Sequence, residues 1–175
     1  GVLALCDVAE DAIVLDIGGT TTDIAIFAGG DPIVEREGIT LNSHRTLVRS
    51  LRTRSIGVGG DSAIRCDGGA VSAGPERAGP SMADGGVSPT VVDACNFLGV
   101  IDYANAESSR RGIVDLAAKS GMEPAYLAKA VIEKAVATIK DAVNDMLDEI
   151  NSRPVYTIHE LLEERPVRPA RVYVM

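Results

Sequence analysis

The sequence predicts an α/β domain, with a mixed sheet that opens as an antiparallel strand meander and is flanked by helices. Three observations predict it. Two short apolar runs, Ala12–Ile17 and Thr22–Phe27, are separated by a glycine-threonine turn. Helical periodicity takes over from about Ser88 onward. Apolar residues make up 46% of the chain and charged residues 24%, a globular balance. Tryptophan is absent, so the core must be built from Val, Ile, Leu and Ala. At 175 residues the chain has room for one ordinary domain, and residues 1–175 read as a single lobe. Both ends look cut. Gly1–Cys6 reads as the tail of a helix, and the last residues open a strand with nothing after it.

The elements follow in order. Ala12–Ile17 is a buried strand stopped by Gly18-Gly19, and Thr22–Phe27 alternates as a second strand. Gly29-Gly30-Asp31-Pro32 is a turn, and Ile33–Glu37 is a third strand. Leu47–Val58 alternates weakly and reads as another. Ser62–Cys66 and Ala70–Ser72 flank Asp67-Gly68-Gly69, a hairpin signal because Asp-Gly supplies the positive φ such turns need. Gly74–Gly86 reads as a long ordered loop. Ser88 then caps a helix with Pro89 in its first turn, and Val91, Ala94, Cys95 and Leu98 form its stripe before Gly99 closes it. A second helix spans about Ser108 to Lys119 and ends at Gly121. Pro124 begins a long third helix running to about Ile150, with Ile132, Val136, Ile139, Val143, Leu147 and Ile150 on one face. Asn151-Ser152-Arg153-Pro154 stops it. Thr157–Glu164 reads as a short helix and Arg171–Met175 as a final strand.

Charge and cysteine usage narrow the function. The net charge of −8 lacks the positive field that nucleic acid requires. Arg45, Arg49, Arg52 and Arg54 cluster, either as a solvated face or as a local anion site. No apolar run approaches the roughly 18 residues of a membrane span. The apolar start lacks a basic segment before it, so it is a poor signal peptide. Cys6, Cys66 and Cys95 are odd in number and widely spaced, which argues against a disulfide framework or a structural zinc site and for a reduced, cytoplasmic protein. His44 and His159 stand alone and read as structural or solvent-facing.

The residues with chemistry begin at Asp16-Ile17-Gly18-Gly19-Thr20-Thr21-Thr22-Asp23. Glycines without side chains let a phosphate approach the backbone. Successive N–H groups in such a turn form an anion-binding concavity. The threonines add hydroxyl donors, and Asp16 can hold Mg2+ through water. The unit is not a Walker A loop, because no Gly-Lys-Ser/Thr follows, nor a dinucleotide-binding turn, because the next segment alternates like a strand. The plainer alternative is an ordinary Gly-Thr hairpin.

Asp16–Asp23 followed by a strand resembles the phosphate-binding hairpin of the actin-like ATPase superfamily, and its spelling resembles hydantoinase/oxoprolinase proteins. Three further segments carry the resemblance: Ser55-Ile56-Gly57-Val58-Gly59-Gly60-Asp61-Ser62, the Gly-Pro loop through Ser72-Ala73-Gly74-Pro75 and Ala78-Gly79-Pro80, and Gly85-Gly86 with Pro89–Ala94 and Leu98-Gly99. Together they span residues 14–99, whereas residues 100–175 match in helical character only. Asp61 stands where the family usually has glycine, the Gly-Pro loop is reordered, and Ser81-Met82 replaces the usual Cys-Tyr.

The resemblance implies a ribonuclease H-like lobe carrying the second of two phosphate hairpins. It implies ATP and Mg2+ as cofactors and ATP-dependent opening of a cyclic amide such as a hydantoin or 5-oxoproline. A related carboxylase reaction, or a nucleotide-dependent switch, remains open beside it. Asp16 would organise the metal, and Gly18, Gly19, Thr20, Thr21, Thr22 and Asp23 would hold the phosphates. Asp61 and Asp93 would stand on the substrate side, with Thr90 sharing the helix face of Asp93; the plainer alternatives are a turn residue and a capping residue. The resemblance further implies a second hydantoinase-type subunit and an oligomer, with no nucleic-acid or membrane partner.

Overall fold

The computed structural model of the chain describes residues 8–35, 40–41, 44–45, 50–152 and 166–175. The expected helix tail at Gly1–Cys6, the residues Arg49 and His159, and the expected helix at Thr157–Glu164 lie outside the described residues. Contacts divide the chain into two compact units. Residues 1–16, 23–55 and 142–175 belong to the first, residues 17–22 and 56–141 to the second.

The first unit is built on a mixed sheet. β1 (Ala12–Ile17) and β2 (Thr22–Ala28) are neighbours, as the two apolar runs predict. β3 (Asp31–Pro32) pairs antiparallel with β2 through Phe27↔Pro32 and Ala28↔Asp31. The third strand expected at Ile33–Glu37 is instead divided between β3 and β4 (Val34–Glu35). Its reason is Ile33, whose N–H donates to Ile26 O and whose carbonyl accepts from Arg52 N, so it serves two partners between the short strands. β5 (Thr40–Leu41) and β6 (His44–Arg45) pair with each other, with His44 exposed. β7 (Ser50–Leu51) pairs with β4, and β8 (Thr53–Ile56) with β2.

The last strand, β11 (Arg171–Val174), joins β1 in parallel, Ala12 facing Arg171 and Leu15 facing Val174. Asp11 fixes that junction. It is buried, and its carboxylate accepts from the Gly29 and Arg168 N–H groups while its carbonyl accepts from Ala170 N. Val8, Ala12, Val14 and Phe27 form the small apolar core here, with Tyr173 packed against it. Two of the clustered arginines have a structural use: Arg52 and Arg54 both bind Glu149, at 2.9 and 2.5 Å.

That triad gives a pH test. Hydrogen bonds from Arg54 and then Arg52 hold the Glu149 carboxyl below its ordinary value. A depressed carboxyl contributes stability that is present above its unfolded value and is lost as pH falls through the folded one. Glu149→Gln is therefore expected to lower the melting temperature slightly at neutral pH. The difference from wild type should vanish in acid, below the ordinary glutamate range. A difference that persists there would show that the triad does not stabilise through charge.

The second unit begins with the hairpin signalled by Asp67-Gly68-Gly69. β9 (Ser62–Asp67) pairs with β10 (Ala70–Arg77), and Gly68 and Gly69 take φ of 58° and 87°, as the turn demands. β10 runs further than expected, so the Gly-Pro segment starts as strand rather than loop. A single 3-10 turn follows at Met82–Asp84. α1 (Val91–Phe97), α2 (Ala106–Ser120) and α3 (Pro124–Asn151) complete the element order before β11. Asn105 caps α2 by accepting from Ser108 N, and Gly121 ends it in the left-handed conformation.

The cap of α1 differs from expectation. Thr90, not Ser88, is its N-cap, because Thr90 is drawn into an extended bridge with Ala63 and its N–H donates to Asp93 Oδ2. The buried face of α3 also differs. Leu127, Ala128, Val131, Ala135, Ala142, Val143 and Met146 are buried, whereas Val136 is 57% exposed. The buried face thus interleaves alanines at 128, 135 and 142 with Leu127, Val131, Val143 and Met146, and of the expected positions Val143 is buried on it. Within the second unit, Leu127, Ala128 and Val131 join Ile64, Ala73, Ala94, Ile113 and Ala117 in one core. Burial pushes the Cys95 thiol up, and Cys66 and Cys95, both half-buried, are free.

Candidate functional site

The turn between β1 and β2 lies in the second unit and is exposed at Gly18, Gly19 and Thr20. Gly18 N donates to Thr21 O at 2.9 Å and closes it. Its back is held by the glycine-rich segment 57–61. Gly60 N donates to Gly18 O at 2.9 Å, and Asp61 N donates to Gly19 O at 2.6 Å. In a trans peptide the N–H points opposite to the carbonyl of the preceding residue. Tethering the Gly18 and Gly19 carbonyls toward 60–61 therefore turns the Gly19 and Thr20 N–H groups the other way, outward. Two successive outward amides on an exposed turn are the donor pattern from which anion-binding concavities are built.

The glycines on both sides make this contact close. A Cβ on Gly59 would stand 2.5 Å from Gly18 O and 2.7 Å from Gly19 C and O. On Gly60 it would stand 2.9 Å from Val92 Cγ2. The segment is locked further by Gly59 N donating to Ser62 Oγ and Ser62 N donating back to Gly59 O. Val92 N donates to Gly60 O, which ties the same segment to the first turn of α1.

The residues predicted for the site divide into two groups. Gly18, Gly19, Thr20 and Thr21 form the exposed turn. Thr22 is fully buried and its hydroxyl donates to Val58 O at 2.7 Å, so it anchors the turn from inside. Asp16 and Asp23 are exposed on β1 and β2 and belong to the first unit. Asp61 is at the turn's back edge; its Oδ2 accepts from Arg77 at 2.7 Å and would be 2.7 Å from a Cβ on Gly19.

Asp93 is 0% exposed. Its Oδ2 accepts from Met82 N, Thr90 N and Thr90 Oγ1, and its Oδ1 from Ala83 N and Ser109 Oγ, at 2.5–3.1 Å. The substrate-side position expected for Asp93 is not where the structure puts it: every lone-pair direction is met by a protein donor. Thr90, on the same face, is buried with it.

Sequence reasoning missed Arg77, Ser62 and Ser109. Ser62 is 1% exposed and closes the glycine segment; its place at the end of Gly59-Gly60-Asp61 was the available signal. Ser109 and Arg77 are fixed only by pairing across the fold.

Asp16 is the residue expected to hold Mg2+, and the turn the segment expected to hold phosphate. Among the described residues no three His, Cys, Asp or Glu gather as a metal cage. Asp16 and Asp23 are exposed carboxylates on either side of the turn in sequence, and an exposed carboxylate suits a cation that keeps its waters. Among the described residues no helix is long and apolar enough to cross a membrane.

The family model of hydantoinase/oxoprolinase proteins matches residues 1–157. No curated protein matches the chain. Among solved structures, the chain is similar to nucleotide-free acetone carboxylase, from work on ATP-dependent acetone carboxylation: TM-score 0.68 and 22% identity, over 80% of this chain and 22% of that one. It is also similar to an ATP-dependent caprolactamase from Pseudomonas jessenii: TM-score 0.58 and 26% identity, over 72% of this chain and 20% of that one. The chain thus spans about a fifth of the length of these solved relatives.

Proposed function

This chain belongs to the hydantoinase/oxoprolinase family, and from that premise we propose that it forms one ribonuclease H-like, actin-like ATPase lobe of an ATP-dependent enzyme that opens a cyclic amide such as a hydantoin or 5-oxoproline. The observation that carries the proposal is the exposed turn whose Gly19 and Thr20 amides face outward because both glycine carbonyls are tied behind. ATP supplies a phosphoryl group that turns an amide or carboxylate oxygen into a good leaving group. The chain's part is positioning and charge stabilisation, the larger share of phosphoryl-transfer catalysis.

We assign the roles as follows. The Gly18–Thr21 turn holds phosphate oxygens by backbone N–H and threonine hydroxyl groups. Asp16 organises Mg2+, with Asp23 at the other flank. Asp61 borders the turn and faces the reacting end. Thr22 and Asp93 act behind it as positioning residues. The caprolactamase favours the cyclic-amide reading, since a caprolactam is a cyclic amide. The acetone carboxylase favours a second reading, in which the same lobe serves a carboxylase subunit. In either case we assign the lobe a cytoplasmic setting and a second hydantoinase-type subunit as partner.

The deciding experiment is phosphate release by the full-length protein with Mg-ATP, against a panel of hydantoins and 5-oxoproline and, separately, a ketone with bicarbonate. Stimulation by one ring compound supports the amidase. Stimulation only by ketone and bicarbonate moves the assignment to a carboxylase. Turnover indifferent to every addition points to a nucleotide-driven switch. Asp16→Ala should abolish Mg-ATP binding in the same protein. Unchanged affinity would remove Asp16 from the site.

A further inference from the structure

Arg77 lies at the end of β10, and four features of the second unit converge on it. First, the β9–β10 register shifts between Ala73 and Arg77. Ala73 faces Ile64, yet Arg77 rather than Pro75 faces Ser62, so β10 carries two extra residues there. Such irregularities re-aim a side chain. Here the side chain delivered beside Ser62 is a guanidinium. Second, that guanidinium donates to Asp61 Oδ2 at 2.7 Å. Third, the same Oδ2 would be 2.7 Å from a Cβ on Gly19, so one carboxylate separates the cation from the phosphate turn. Fourth, the adjacent acid Glu76 is paired with Arg65 and does not compete for Arg77.

The exposure of the pair is uneven. Arg77 is 46% exposed and Asp61 19%. The cation is therefore at the open side and the carboxylate at the protein side. A bare carboxylate beside two outward amides would repel a phosphate; paired with a guanidinium it becomes a support. Arginine has five N–H donors in a planar fork that matches phosphate oxygens, and among the described residues the bond to Asp61 uses one of them.

We propose that Arg77 is a phosphate-binding residue of this site, held by Asp61 at the Gly18–Thr21 turn so that its free N–H groups meet the terminal phosphate oxygens of the nucleotide. Asp61 is then the positioning residue for Arg77. The inference rests on the reading of the turn as a phosphate site. It extends that reading by naming the cation that completes the site and the end of the nucleotide it recognises.

The test compares ATP and adenosine binding to the full-length protein in wild type, Arg77→Ala, Arg77→Lys, Asp61→Asn and the Asp61→Asn/Arg77→Ala double variant, with melting temperatures measured alongside. Losing charge-assisted hydrogen bonds should weaken ATP binding by about ten- to a hundredfold in Arg77→Ala. Adenosine affinity should stay the same, which a general structural defect would not spare. Arg77→Lys should recover part of the loss, and Asp61→Asn should show a smaller loss of the same kind. The double variant should recover at most part of the Arg77→Ala loss, the part that the bare Asp61 carboxylate causes by repulsion.

Full recovery in the double variant would overturn the proposal, because Arg77 would then only neutralise Asp61. ATP affinity unchanged in Arg77→Ala, with wild type binding ATP well, would overturn it while leaving the phosphate turn standing. Wild type that binds ATP no better than adenosine would overturn the reading of the turn itself, and this inference with it.

Discussion

Replacing Asp93 with alanine is expected to be the most destabilising single change in the second unit. The wild-type carboxylate is fully buried and accepts from five donors, two of them on the 3-10 turn at Met82–Asp84, two on Thr90 and one on α2. It therefore ties three separate segments together. Alanine would strand backbone N–H groups at residues 82, 83 and 90, and a stranded buried donor costs about 1–3 kcal/mol. With three such donors stranded, the loss should be at least about 3 kcal/mol.

Asp93→Asn refines the test. All five partners donate, and an amide can accept through its oxygen alone. The NH2 group would then face donors. Its least costly place is the Oδ1 position, where the Ser109 hydroxyl can rotate, although that oxygen already accepts from Asn96 Nδ2. Asparagine should therefore destabilise by less than alanine but measurably. Chemical denaturation of both variants checks the order. If Asp93 is instead a group of the reaction, turnover collapses in Asp93→Asn while stability stays at the wild-type level.

The role of Asp93 marks where the sequence is legible and where it is not. Local signals carried well. Ala12–Ile17, the Gly-Thr turn and the Asp-Gly-Gly hairpin are specified by residues within a few positions of one another, and each formed as expected. Gly121 closed α2, and Pro124 opened α3, for the same reason. The start of α1 was displaced by two residues because its cap depends on β9 and Asp93, not on Ser88 and Pro89. The face of α3 was misjudged in part: Val143 is buried as expected, but alanines at 128, 135 and 142, which a ranking by apolar size passes over, are buried while Val136 is exposed.

The site shows the same division. The turn between β1 and β2 is visible as glycines and threonines in a row, and the segment 57–61 as a second glycine cluster. That the second exists to tether the first is a long-range fact, written in Gly60 N to Gly18 O and Asp61 N to Gly19 O. Thr20 and Thr22 look alike in sequence, yet one is exposed and the other fully buried on Val58 O. Nothing within a few residues of Arg77 predicts its partner, because a register shift in β10 sets its direction.

Gly59→Ala is the corresponding test of the tether. The added methyl would lie 2.5 Å from Gly18 O and 2.7 Å from Gly19 C and O, all backbone atoms that cannot rotate aside. One segment must move. Residues 59–62 are fixed by the mutual Gly59–Ser62 bonds and by Val92 N on Gly60 O, whereas the turn projects into solvent. The turn is thus the part that yields, and its displacement would break one or both carbonyl tethers and let the Gly19 and Thr20 amides swing from their common direction. Overpacking of this kind costs about 1–3 kcal/mol, which the fold should survive. Nucleotide affinity should fall much further, by at least about a hundredfold, since two charge-assisted amide–phosphate hydrogen bonds of about 1.5–3 kcal/mol each would be lost. Isothermal titration of Mg-ATP into the full-length variant, beside its melting curve, separates the two. A folded Gly59→Ala protein with wild-type ATP affinity would mean that the outward amides do not bind the phosphates, and that these glycines serve packing alone.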